Sequence, residues 1–215
     1  MNSYAVIGLG KFGSAVALEL MASGCEVLAI DIHEENVQHI ADRVTDAVVA
    51  DARDEAVLRS LGIRNYDCAV VSIGDDVAAS ILITLMLKEL GVAQVACKAG
   101  DEVHKKALLK VGADRVLIPE KDMAGRFAQS LARPNVVDYI EISEEFAIIE
   151  LSIPKPWVGK SLKELNVRAK YGVSVMAFRR DGQMELSPNP DEKMRKGEIL
   201  VILGHEERLG KLYKL

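Results

Sequence analysis

Tyr4-Ala5-Val6-Ile7-Gly8-Leu9-Gly10-Lys11-Phe12-Gly13 sets a short apolar run directly against three glycines, and Ser14 to Met21 continues as a helix-compatible segment. This spacing predicts the strand, glycine turn and helix of a dinucleotide-binding βαβ unit. Gly8 allows the tight turn, Gly10 lets the backbone approach a pyrophosphate, and Gly13 lets the helix lie close on the strand. A phosphate would rest on the unpaired amides at the helix N-terminus, where the dipole also favours negative charge. Asp31 closes a second apolar run, Glu26-Val27-Leu28-Ala29-Ile30, eighteen residues after Gly13. A carboxylate there suits a ribose diol.

Outward from this unit the alternation continues. Apolar runs at 47–50, 67–72, 95–98 and 115–118 read as buried strands, with helices predicted over 34–43, 54–61, 76–90, 104–111 and 120–132. Six such strands separated by helices predict a doubly wound parallel Rossmann sheet covered on both faces. The pattern changes at Arg133-Pro134-Asn135, beyond which the segments are β-like and turn-rich, with Asp181-Gly182 as a hairpin turn. The expected architecture is therefore α/β, a Rossmann domain over 1–134 followed by a small α+β domain over 135–215.

Composition narrows the function. A content of 49% hydrophobic and 27% charged residues is that of an ordinary soluble chain. A net charge of −5 argues against nucleic-acid binding and against a polybasic hold on anionic lipid. Cys25, Cys68 and Cys97 are widely spaced and read as reduced structural thiols. The glycine turn interrupts the first apolar run too early for a secretory leader, and the uncharged run 77–87 is too short to span a bilayer. No direct membrane insertion is expected.

Two helices carry surplus apolar surface. Residues 81–87 are apolar round the helix, and Met123, Phe127 and Leu131 repeat at four-residue intervals. Such a face packs either on the domain's own sheet or on another subunit. Catalytic chemistry is missing by contrast. His33, His39, His104 and His205 all read as surface residues, and no HExxH, GxSxG or Walker lysine motif is present. A small NAD-dependent oxidoreductase stays open as an alternative, but the pattern fits a nucleotide bound as a signal rather than turned over.

With these residues in view, the chain resembles the RCK (regulator of potassium conductance) family. The resemblance is carried by Gly8 to Gly13 with Asp31, by Leu61-Gly62-Ile63, by Gly112-Ala113-Asp114-Arg115 with Pro119 to Ala124, and by Leu165 to Gly172. It covers essentially the whole chain and is strongest to the cytosolic subunits of bacterial Ktr potassium transporters. It implies a non-enzymatic regulatory subunit, cytoplasmic and peripheral at the membrane. Its partner would be a membrane potassium-translocating subunit of the KtrB/KtrD kind. Homodimers would assemble into a homo-octameric ring.

The resemblance also implies ligands and their positions. ATP or ADP ranks ahead of NAD or NADH, the ligand of a Trk-type alternative. Gly8, Leu9, Gly10, Lys11, Phe12 and Gly13 would surround the phosphates, with Lys11 reaching the neighbouring subunit's nucleotide. Asp31 and Ile32 would hold the ribose, Asp51 and Ala52 would flank the base, and Ile73, Gly74 and Lys98 would line the sugar–phosphate side. Glu120 would sit near the terminal phosphate with a bridging Mg2+ or Ca2+; read from its position alone, it is equally a helix N-terminal acid. In the C-terminal domain, Asn166, Val167, Arg168, Ala169, Val175 and Pro188 fall where relatives bind cyclic di-AMP. Asp31→Ala is expected to remove nucleotide stabilisation and leave the fold intact.

Overall fold

Strands that alternate with helices along the chain can pair in parallel only through crossovers, and the computed structural model, which describes residues 2–215, shows that arrangement. In chain order the first elements are β1 (Ser3–Ile7), α1 (Lys11–Ala22), β2 (Glu26–Asp31), α2 (Glu34–Ile40), β3 (Asp46–Val49) and α3 (Glu55–Ser60). They are followed by β4 (Cys68–Val71), α4 (Val77–Glu89), β5 (Gln94–Lys98), α5 (Glu102–Lys110), β6 (Arg115–Leu117) and α6 (Pro119–Ala132). All pairings are parallel, in the order β3-β2-β1-β4-β5-β6. The strand order reverses between β1 and β4, so a crevice opens beyond their C-terminal ends.

Each strand feeds both faces of the sheet. Ala5 and Ile7 join one core cluster with Ile83 and Leu87 of α4, while Val6 points the other way to Ala17 of α1 and Ile40 of α2. Each fully buried isoleucine or leucine contributes about 1.5–3 kcal/mol. Side-chain caps fix where helices begin: Asp54 accepts from the Ala56 amide at 2.8 Å and Asp76 from the Ala79 amide at 2.9 Å. Gly91, at φ 84, follows the C-terminus of α4, as expected of a glycine stop.

Two expectations for this part change. The strand β3 is not buried: it is the edge of the sheet, and Val49 is 49% exposed. His104 is not a surface residue; it is 2% exposed, its Nδ1 accepts from the Gly100 amide at 3.2 Å, and burial lowers its pKa. Asp101 caps α5, so that helix starts earlier than expected and turns His104 inward. Of the two packings open to the apolar stripe of α6, the domain's own sheet does not take it: Met123, Phe127 and Leu131 are all exposed, as are Leu82 and Leu85 of α4. Cys68 and Cys97 are buried free thiols, and burial pushes Cys97 up to about 11, so it is inert as a nucleophile.

Two compact units divide between Glu120 and Lys121. The second contains β7 (Val136–Glu141), β8 (Phe146–Ser152), α7 (Leu162–Leu165), α8 (Val167–Tyr171), β9 (Ser174–Arg180), β10 (Gln183–Leu186), β11 (Ile199–His205) and α9 (Glu206–Leu209). Its sheet is antiparallel, in the order β10-β9-β11-β8-β7. Buried and partly buried residues alternate along β8 and β11, as a sheet with one solvated face requires. Trp157, Phe178, Ile149 and Leu200 fill the core, with the Trp157 and Tyr171 rings 5.5 Å apart. Asp181 and Gly182, at φ 47 and 80, make the hairpin turn between β9 and β10. Arg133 binds the last residues of the chain: its guanidinium lies 3.9 Å from the Tyr213 ring centroid and pairs with Glu206 at 2.8 Å. Among the described residues no helix is long and apolar enough to cross a membrane.

Candidate functional site: a nucleotide cleft

The crevice at the strand-order reversal is a cleft of about 300 Å³. Among its lining residues are Gly8, Gly10, Asp31, Ile32, Asp51, Ala52, Ile73 and Gly74. The other residues expected there, Leu9, Lys11, Phe12, Gly13, Lys98 and Glu120, are not on the wall. Residues that the sequence reading did not place in the cleft also line it: Arg53, Ser72, Asp75 and Asp76. Arg53 follows directly on Asp51-Ala52 at the end of β3, and that adjacency was the available signal.

The three glycines do different work. Gly8 sits at φ 90, and a Cβ there would meet Ile73 Cγ1 and the Ser72 carbonyl at 3.0 Å. A Cβ on Gly13 would lie 1.9 Å from the Gly8 carbonyl oxygen, so that glycine exists for helix-to-strand packing. Gly10 differs: a Cβ there would meet nothing within 4 Å. Packing does not require that glycine, whereas a close-approaching ligand would. Gly10 is the N-cap of helix α1, which has no side-chain cap and no acid in its first turn. Its opening amides have no helical acceptor and remain available to an anion.

Asp31 is 8% exposed and ties the glycine turn to the second strand. Its Oδ2 accepts from the Leu9 amide at 2.6 Å, and its Oδ1 accepts from the His33 amide at 2.8 Å. Burial acts to raise this carboxyl, but the hydrogen bonds from His33 and Leu9, with help from Asn36, outweigh it and hold the pKa below the ordinary value. Leu9 thus acts through its backbone, and its side chain is core. Oδ1 also lies 3.1 Å from His33 Nδ1, so a ribose hydroxyl would replace that contact or take the second lone pair of Oδ2.

Lys98, at the end of β5, runs beside Gly74. Its ammonium pairs with Glu120 at 2.7 Å and lies 5.9 Å from the Phe12 ring centroid. Lys11 is exposed. The Lys98 side-chain hydrogen bond lowers the Glu120 carboxyl. Mg2+ or Ca2+ takes six or more oxygen ligands, and Glu120 offers one carboxylate already neutralised by lysine. Among the described residues no group of three His, Cys, Asp or Glu is placed to hold a metal.

The second unit carries its own pocket of about 590 Å³, lined by Asn166, Val167, Arg168, Val175 and Pro188 among others; Ala169 is not on its wall. Two lining residues, Asn166 and Ser187, hold left-handed φ values of 48 and 52. Such conformations cost energy in residues other than glycine and cluster at ligand sites. Lys163 on the rim pairs with Asp191 at 2.8 Å, whereas Arg168 makes no ion pair among the described residues.

Comparison with known proteins now places the chain. The TrkA-N domain model matches residues 4–119 and the TrkA-C domain model residues 146–215. The chain belongs to the TrkA-N/TrkA-C family of RCK proteins. This RCK chain is 47% identical over 206 residues to the Ktr system potassium uptake protein A of Bacillus subtilis, covering 96% of this chain and 93% of that one. It is 36% identical to the Ktr system potassium uptake protein A of Vibrio alginolyticus, covering 99% and 97%. Among solved structures, the GsuK channel matches 98% of this chain and 38% of its own at a TM-score of 0.71 and 19% identity, a likeness of fold.

The expected ligand ranking needs correction. A GsuK channel bound to NAD matches all of the RCK chain and 38% of its own at a TM-score of 0.57 and 24% identity. GsuK bound to ADP matches 62% and 35% at 0.54 and 15%. The fold thus occurs with either ligand, and placing ATP or ADP ahead of NAD does not stand. The physical reason lies in the recognition elements: a glycine turn for a pyrophosphate and an acid for a ribose diol serve NAD and ADP alike.

Proposed function

We propose that this RCK chain is the nucleotide-sensing, non-catalytic regulatory subunit of a potassium uptake transporter. Its cleft would take the adenosine diphosphate moiety that NAD and ADP share. The observation that carries the binding reading is Gly10: it stands at the mouth of α1 where no packing needs a glycine. The potassium role follows from the 47% identity to a Ktr system uptake protein over nearly the full length of both chains. By the same likeness the chain works in the cytoplasm, against a membrane-embedded potassium-translocating subunit. Dimers assembling into an octameric ring would cover the exposed apolar residues of α4 and α6.

Potassium flux into vesicles holding the translocating subunit tests this reading. Adding the chain should make flux depend on NAD or ADP, with a change of about tenfold for a coupling near 1.4 kcal/mol. Flux that is the same with and without the chain, under every nucleotide condition, would sink the regulatory assignment.

A second ligand is favoured by the pocket of the second unit. Its five expected lining residues, two left-handed residues and unpaired arginine support an anionic ligand such as cyclic di-AMP, with Arg168 facing a phosphate. Arg168→Ala should leave thermal stability within about 0.5 kcal/mol, as for exposed substitutions generally, and remove cyclic di-AMP binding measured by calorimetry. Unchanged binding in that variant would rule the assignment out.

A further inference from the structure

Three acids of the second unit converge on one guanidinium. Arg180, the last residue of β9, is 18% exposed in its side chain, and its Cζ lies 4.6 Å from the centroid of the buried Phe178 ring. Its Nη1 donates to Glu185 at 3.0 Å and also to Glu192, while its Nε lies 2.9 Å from the buried Glu198. A buried carboxylate thus seats the guanidinium on the core, and the seated guanidinium holds two further acids. Those two acids flank the stretch 187–190, and Ser187, Pro188 and Pro190 of that stretch line the 590 Å³ pocket. Arg180 is not itself on the pocket wall.

The wall needs such support. Two backbone bonds place it, from the Ser187 amide to the Met176 carbonyl and from the Lys163 amide to the Pro190 carbonyl, both at 2.9 Å. Its conformation is nevertheless costly: Ser187 is left-handed at φ 52, and neither proline has an amide to donate. Without the guanidinium, the acids at either end of the wall would also repel each other.

We propose that Arg180 is a positioning residue for the ligand of this pocket: by holding Glu185 and Glu192, it fixes both ends of the wall 187–190 before the ligand arrives. The inference rests on the reading of this pocket as a cyclic di-AMP site. Three carboxylates already engage Arg180, so it acts on the wall and leaves the phosphates to Arg168. A loosened wall lowers the fraction of chains ready to bind. The dissociation constant rises by the inverse of that fraction, and the association rate falls with it.

Calorimetry and stopped-flow binding of cyclic di-AMP to the full chain test the proposal. Glu192→Gln removes one support and leaves the buried Glu198 paired with Arg180. It should weaken binding about threefold to fivefold, the upper range for a partly exposed ion pair. The association rate should fall by that factor while the dissociation rate stays within about twofold of wild type. Arg180→Gln, which frees both ends, should lose about tenfold or more, and Arg180→Lys, which keeps the charge without the planar fork, should lose less. Adding Glu192→Gln to Arg180→Gln should cost nothing further, because the acid acts through the guanidinium. If burying Glu198 without its partner unfolds Arg180→Gln, the Glu192→Gln rates decide alone. A wild-type association rate in Glu192→Gln, or a loss seen only in its dissociation rate, would overturn the proposal. Absence of cyclic di-AMP binding by wild type would instead overturn the reading of the pocket, and the proposal with it.

Discussion

Gly13→Ala should cost the first unit at least about 3 kcal/mol or prevent its folding, the range for overpacking a close contact with no room to yield. The added carbon would lie 1.9 Å from the Gly8 carbonyl oxygen and 3.1 Å from Ser72 Cβ. The first obstacle is backbone at the turn itself, so relief requires α1 to back away from β1. Gly10→Ala is the internal control. Its added carbon meets open space, so the thermal midpoint should move by less than about 2 °C, as for a change under 0.5 kcal/mol. Nucleotide binding should fall, because the methyl group would occupy the approach to the pyrophosphate. Comparing both variants by thermal denaturation separates the packing glycine from the ligand glycine; equal destabilisation by the two would show the division of labour to be mistaken.

The second large effect belongs to Asp31. Asp31→Ala should remove nucleotide binding and also destabilise the fold by about 1–3 kcal/mol, the cost of orphaning buried donors. This revises the expectation that the fold would be untouched. The Leu9 and His33 amides both donate to this carboxylate, so the acid is part of the turn it serves. Its pH dependence has a definite sign. The folded pKa lies below the ordinary 3.8, so the ionised form's contribution is fully present above that value and is lost as pH falls through the lower folded pKa. Asp31→Asn, which keeps acceptor capacity on one oxygen only, should flatten the acid limb of a stability-versus-pH curve. An acid limb identical to that of wild type would assign the effect to other carboxylates.

Much of the architecture was legible because it rests on period and punctuation. The six strands of the parallel sheet were found as apolar runs, and Gly91 and Asp181-Gly182 ended a helix and turned a hairpin as their chemistry demands. The failures have physical causes. Apolar Val48 and Val49 looked like a buried strand, but an edge position is a property of strand order, which local composition does not encode. Helix α8 was missed because five residues between a left-handed Asn166 and a left-handed Gly172 carry too little period to be read. His104 was assigned to the surface because its neighbours Lys105 and Lys106 are charged; the Asp101 cap sets the helical phase that turns it inward. In the cleft, the glycines and Asp31 were visible as a motif. Arg53 stands next to Asp51-Ala52 in the sequence, but its fork to Asp51 on the cleft wall shows only in three dimensions.

The central claim is that the glycine turn and Asp31 form a working nucleotide site, and thermal denaturation of the wild-type chain with NAD and with ADP tests it most directly. A bound ligand at about a hundred times its dissociation constant should add about 2.7 kcal/mol to the first unit and raise its midpoint by several degrees, increasing with concentration. A midpoint that stays constant for both nucleotides up to saturating concentrations would contradict the account.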